Sequence, residues 1–196
     1  MKDSKLYGFI RPILTVLVKI LYRPKVIGKE YITSSGSKIF AGNHTNYFDC
    51  LLLAYCTKRH IHYLAKDELF KGVKGVFFSN LGLIPVNRRE KSKDSLILAK
   101  KYLKAGKIIG IFPEGTISKT KDLLPFKIGA VIMAKDTNTK IIPFGISGKY
   151  KLFSKDLTIT FGEPIAIKED FDKENDKLKS IIEDLRRRYL CLYMIY

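Results

Sequence analysis

The chain has 196 residues, with 36 Lys and Arg against 19 Asp and Glu, a formal charge of +17. That length fits one domain able to bury roughly 70% of its unfolded surface, and at 46% hydrophobic and 28% charged it is neither a disordered tail nor a fibre. Three cysteines (Cys50, Cys56, Cys191) are an odd, sparse set that argues against a disulfide scaffold and for a reducing compartment, and the lack of a CxxC pair excludes a zinc ribbon and a thioredoxin-like motif. The charge is regional. Residues 1–30 carry seven bases and two acids, residues 58–107 thirteen and four, while 166–188 balance at seven each. Such a field suits nucleic acid, an anionic membrane surface or a phosphorylated substrate.

Taken in chain order, the first element is Leu6 to Tyr22, an apolar segment broken by Arg11, Pro12 and Lys19. Its longest charge-free run is far short of the roughly 20 residues a spanning helix needs. No small-residue cleavage site follows it, and Arg23-Pro24-Lys25 does, so it is unlike a secretory signal. On a helix Phe9, Ile13, Leu17, Ile20 and Leu21 share a face, with Lys19 and Arg23 able to reach lipid headgroups. Two readings stand: an interfacial helix in residues 1–25, or a helix packed on the protein's own core.

Short β-rich runs then alternate with helical patterns. Strands are expected at 38–43, 61–65, 83–87, 107–112, 140–147 and 157–161. Helices are expected near Cys50–Tyr55, Ser92–Ala105, Gly129–Lys135 and Asn175–Tyr189. The alternation predicts a single α/β domain, residues 26–196, with a largely parallel mixed sheet flanked by helices, plus the N-terminal amphipathic helix. In an open sheet of this kind ligands bind outside the carboxyl ends of the strands.

The motifs fall at those ends. Gly42-Asn43-His44 closes a β run, and Asp49 follows five residues later. Five residues turn about 140° on an ideal helix, so His44 and Asp49 do not share a helical face. If His44 precedes a helix and Asp49 opens it, the carboxylate bends back and fixes the imidazole tautomer for proton abstraction. A structural histidine remains the alternative. His62 has a carboxylate at the same spacing, Asp67, but sits inside a strand pattern. His60 and His62 share a strand face without an evident third metal ligand, and no metal site is expected. Phe112-Pro113-Glu114-Gly115-Thr116 follows an apolar strand and gathers backbone N–H groups, a carboxylate and a hydroxyl, a set suited to a polar substrate or an oxyanion. Leu83 to Arg88 delivers an arginine just past a strand, suited to a bidentate grip on phosphate.

In this order the blocks resemble the glycerolipid acyltransferase family typified by 1-acylglycerol-3-phosphate acyltransferases. NHTNYFD (43–49) matches the family's NH-x4-D motif. GLIPVNR (82–88), FPEGT (112–116) and IIPFGI (141–146) resemble the three that follow, and Lys66–Phe70 and Phe126-Lys127-x-Gly129 also look familial. The resemblance covers roughly residues 26–165, with the motifs in about 38–165. It implies transfer of an acyl group from acyl-CoA or an acyl carrier protein thioester to the free hydroxyl of 1-acylglycerol-3-phosphate, giving phosphatidic acid. His44 would be the general base and Asp49 its orienting partner, with Arg88, Glu114, Gly115 and Thr116 on the glycerol phosphate. Direct attack by the acceptor hydroxyl implies no acyl-enzyme, no metal and no cofactor beyond the thioester co-substrate. The expected site of action is the cytoplasmic face of the cell membrane, in peripheral or monotopic association.

One departure stands out. The third block usually continues with arginine, and this chain has Ile117. Lys119, Lys121 or Lys127 would have to substitute, as point charges rather than forks. A sister enzyme acylating another lysophospholipid or an aminolipid is therefore a second reading. A basic nucleic-acid-binding module is a third, without a recognised motif behind it, so no nucleic-acid partner is expected.

Overall fold

The computed structural model describes residues 4–87, 94–118, 120, 122–168 and 170–193, with side chains through Arg187. Helix α1 (Lys5–Tyr22) begins where the Ser4 hydroxyl accepts the Tyr7 N–H at 3.0 Å, and it ends at Arg23, whose φ of 45° precedes Pro24. Strand β1 (Lys25–Ile27) follows, then a 3₁₀ turn (Lys29–Ile32), β2 (Lys38–Gly42), α2 (Asp49–Cys56) and β3 (Ile61–Lys66). A second 3₁₀ turn (Asp67–Phe70) leads into α3 (Gly72–Asn80), β4 (Ile84–Val86), α4 (Asp94–Lys104) and β5 (Ile108–Ile111). The chain continues through α5 (Gly129–Thr137), β6 (Ile141–Ser147), β7 (Thr158–Phe161) and α6 (Phe171–Tyr193).

These seven strands form one sheet in the order β1-β7-β6-β2-β5-β3-β4. Every neighbouring pair is parallel except β6 with β7. The expected mixed, largely parallel α/β sheet is what forms. Covering both faces of parallel strands demands near-continuous apolar runs, and β2 meets this with five buried residues. Phe40 points to the layer of α1 and α2, packing with Val18, Leu52 and Leu53. Ile39 and Ala41 point the other way, to α4, α5 and α6, represented by Leu103, Val131 and Ile182. The alternation of side chains across one strand thus builds two cores.

Helix α1 lies on α2 through its inner face. Val18 is buried there, and the Arg11 guanidinium donates through Nε to the carbonyls of Ala54 and Thr57, at 3.1 and 2.9 Å, capping the end of α2. Its outer face is exposed: Phe9, Ile13, Val16, Leu17 and Ile20 all stand in solvent. The reading of a helix packed on the protein's own core thus holds for the inner face, and the outer face is an exposed apolar surface. Among the described residues no helix is long and apolar enough to cross a membrane. Residue 25, the end of the expected interfacial segment, is the first residue of β1, so that segment and the sheet are continuous.

Some boundaries differ from the sequence reading. Helix α6 starts a turn before Asn175, because the Asp170 carboxylate accepts the N–H of Asp172 at 2.8 Å and caps the helix. Helix α3 and strand β1 were not expected. The start of the Ser92–Ala105 helix lies outside the described residues.

Candidate active site

Three parallel strands deliver the motifs to one edge. Ala41 pairs with Ile111 across β2 and β5, and Gly42 pairs with Phe144 across β2 and β6, so their carboxyl ends are level. Gly42 is required here: a Cβ would sit 2.2 Å from the Phe144 ring. Asn43 then locks the end of β2 to β6, donating to the Ile146 carbonyl at 2.9 Å and accepting its N–H at 2.7 Å.

His44 and Asp49 meet as the spacing suggested. Nδ1 of His44 lies 2.9 Å from Oδ2 of Asp49, the first residue of α2. The same carboxylate oxygen accepts the N–H groups of Thr45, at 2.6 Å, and Asn46, at 2.8 Å. The other accepts the hydroxyls of Thr45, at 3.1 Å, and Tyr150, at 2.6 Å. Asp49 is fully buried, and both of its oxygens are filled by donors. Oδ2 is the acceptor of two backbone N–H groups, so Nδ1 of His44 meets it as an N–H donor and Nε2 is the nitrogen left with a free lone pair. The imidazole stacks on Phe112, centroids 4.0 Å apart, and its side chain is 17% exposed. A base fixed in one tautomer at a solvent-open edge can take a proton from a bound hydroxyl.

The Phe112–Thr116 turn stands beside it at the end of β5. Glu114, expected to contact substrate, is 5% exposed, and both its oxygens are committed to backbone donors. Oε1 accepts the His44 N–H at 2.8 Å and Oε2 accepts the Leu124 N–H at 2.9 Å. The Ser118 N–H returns to the His44 carbonyl at 3.0 Å. Glu114 therefore braces the backbone that carries the base. Gly115 adopts φ of 71°, and a Cβ there would meet Nζ of Lys127 at 2.9 Å, so the lysine lies over the turn. Thr116 and Lys127 are exposed at this lip, and Ile117 is half-buried. Arg88, Lys119 and Lys121 lie outside the described residues.

The remaining candidates take other parts. His60 Nε2 and His62 Nδ1 point at the carbonyls of Leu81, at 2.9 Å, and Gly82, at 2.8 Å. The two rings lie 4.1 Å apart, tilted by 34°, with Tyr7 stacked on His60 and Tyr102 against His62. These histidines join β3 to the turn before β4, away from the His44 edge. Burial, and then the charge of Asp49, push the Cys50 thiol up to about 12, which keeps it protonated. Two contributors had no sequence signal pointing to them. Asn43 reads only as half of an Asn-His pair, and Tyr150 lies 101 residues from the carboxylate it touches.

The acyltransferase family profile matches residues 23–147. The 1-acyl-sn-glycerol-3-phosphate acyltransferase of Bacillus subtilis is 31% identical over 191 residues, 93% of this chain and 94% of that protein. The enzyme of the same name from Borreliella burgdorferi is also 31% identical, over 81% of this chain and 68% of its own length. The crystal structure of the 1-acyl-sn-glycerophosphate acyltransferase from Thermotoga maritima superposes with a TM-score of 0.71, at 20% identity, over 93% of this chain and 80% of that one. That last likeness is one of fold. With the matched profile spanning most of the chain and the Bacillus relative aligned nearly end to end, the chain belongs to the acyltransferase family of the 1-acyl-sn-glycerol-3-phosphate acyltransferases.

Proposed function

We propose that this acyltransferase moves a fatty acyl group from a thioester to the free hydroxyl of 1-acylglycerol-3-phosphate, producing phosphatidic acid. The observation that carries the reading is the His44–Asp49 contact of 2.9 Å at the carboxyl end of β2, beside the Phe112–Thr116 turn. The names of the similar proteins supply the substrate class.

Nε2 of His44 takes the proton of the acceptor hydroxyl as its oxygen attacks the thioester carbonyl. Asp49 holds the ring and stabilises the imidazolium that forms. The tetrahedral intermediate collapses, the C–S bond breaks, and the departing thiolate takes the proton back from His44. Glu114 keeps the His44 backbone in register with the turn. Gly115, Thr116 and Lys127 line the lip where a phosphate would rest, and Arg88 is the candidate for a bidentate contact. The donor is acyl-CoA or an acyl carrier protein. The exposed apolar face of α1, with Lys19 and Arg23 near its end, suits an anionic membrane surface where the lipid acceptor resides.

Ile117 supports a second reading, an acceptor with a different head, because a half-buried isoleucine replaces the arginine usual after this turn. Purified protein assayed with labelled 1-acylglycerol-3-phosphate, lysophosphatidylcholine and lysophosphatidylethanolamine, each with acyl-CoA and acyl carrier protein donors, separates the two. Turnover confined to the phosphate monoester supports the first reading. Preference for either other lysolipid refutes it.

A further inference from the structure

Asp49 accepts from five donors, and four of them belong to residues 44–46, its own loop. The fifth comes from a different part of the fold. The Tyr150 hydroxyl, three residues past the end of β6, donates to Oδ1 at 2.6 Å. Oδ2 would keep all three of its donors without Tyr150. Oδ1 would keep only the Thr45 hydroxyl at 3.1 Å, so the phenol is the stronger of its two supports.

Tyr150 is itself held from two sides. The ring of Tyr22, the last residue of α1, meets it edge-on at 5.3 Å and 83°, and Phe48 lies 6.1 Å away. The Phe153 N–H also donates to the Leu21 carbonyl, which ties the Tyr150 loop to the end of α1. Burial and the neighbouring Asp49 charge push the phenol far above its ordinary range, so it remains a donor at every working pH.

We propose that Tyr150 is a positioning residue of the acyltransferase centre, holding the Asp49 carboxylate in the orientation that serves His44 and tempering the charge His44 feels. The proposal rests on the reading of His44 and Asp49 as the catalytic pair. Its consequence has a definite sign. Without the phenol, the carboxylate carries more uncompensated charge, so it stabilises the His44 imidazolium more strongly. The neutral base then appears only at higher pH, and the orientation of the ring is less well kept.

The test is a pH series of kcat and KM for the full chain with 1-oleoylglycerol-3-phosphate and palmitoyl-CoA, comparing wild type with Tyr150→Phe. The variant keeps the ring and its packing. It should lose about ten-fold in kcat, with both KM values within about two-fold, and move the acid limb of kcat/KM up by about half a pH unit or more. Tyr22→Leu leaves the phenol but removes the ring it rests against, and should give a smaller change of the same sign. An unshifted acid limb in both variants means that Tyr150 is only structural and overturns the proposal. A loss confined to the acceptor KM overturns it as well, since Tyr150 would then touch substrate. Asp49→Asn in the same assay separates the two levels. If it is inactive while Tyr150→Phe behaves as wild type, the Tyr150 role alone falls. If Asp49→Asn is fully active, the catalytic pair falls and takes this proposal with it.

Discussion

Asp49→Asn is the sharpest perturbation of the centre because the side chain keeps its shape and loses its charge. In the native site two N–H groups and Nδ1 of His44 all converge on Oδ2 within 2.9 Å, and two hydroxyls converge on Oδ1. An asparagine has one acceptor oxygen for five donors. If its oxygen takes the Oδ2 place, the amide faces hydroxyls that can rotate to accept, and the loop survives. With its oxygen in that place the amide still accepts from Nδ1–H, but being neutral it no longer stabilises the imidazolium. The rate should fall by about 10²–10⁴-fold, the scale of losing efficient general-base catalysis. Weakening hydrogen bonds to a buried charged acceptor should lower stability by about 1–3 kcal/mol. The assay is product formation by mass spectrometry under saturating substrate, with circular dichroism and thermal unfolding on the same samples. A folded variant with a rate within about three-fold of wild type would refute the reasoning, because the charge of Asp49 would then not serve the base.

His44→Ala should abolish transfer, while His62→Ala should lower the melting temperature and leave the folded enzyme mostly active, since His62 holds a main-chain carbonyl on the far side of β5; equal rate losses would contradict the assignment. Thiol alkylation at pH 8 should leave the activity intact, because the Cys50 thiol is pushed up to about 12 and no reactive thiolate forms there; a Cys50→Ser variant checks that any inhibition arises elsewhere. Serine at Phe9, Val16 and Ile20 together should abolish sedimentation with phosphatidylglycerol vesicles without lowering the melting temperature, as all three are exposed. Vesicle binding unchanged in that variant would remove the outer face of α1 from membrane docking. Gly145→Ala should destabilise by about 1–3 kcal/mol, since its Cβ would lie 2.4 Å from the Arg186 nitrogen where β6 meets α6, and an unchanged melting temperature would contradict that close approach.

The parts of this centre that were legible are those written locally. Asn43 to Asp49 is one loop, so its sequence fixes which strand ends and which helix begins, and the turn after β5 is likewise a contiguous block. Glu114 was visible as a residue but not as a brace, because its partners His44 and Leu124 lie 70 and 10 residues away. Tyr150 was invisible for the same reason, and a lone tyrosine after a Gly-Lys pair carries no pattern. Strand β1 escaped notice because three residues at a sheet edge show no period. In α3 the apolar side chains Val73, Val76 and Phe77 are exposed, so they mark no core-facing stripe. Arg11 and Lys19 ruled out a membrane span from composition alone, yet only packing revealed that Arg11 closes the carboxyl end of α2.

The central claim is direct transfer of an acyl group to 1-acylglycerol-3-phosphate with His44 as base. The most direct measurement follows phosphatidic acid and free thiol together after mixing the purified chain with 1-oleoylglycerol-3-phosphate and palmitoyl-CoA or palmitoyl-acyl carrier protein, alongside intact-protein mass spectrometry. The account predicts equal amounts of the two products with at least one donor, no product with His44→Ala, and no acylated protein at any time. Thiol release without phosphatidic acid, or a covalent acyl-enzyme that forms and decays at the turnover rate, would contradict it.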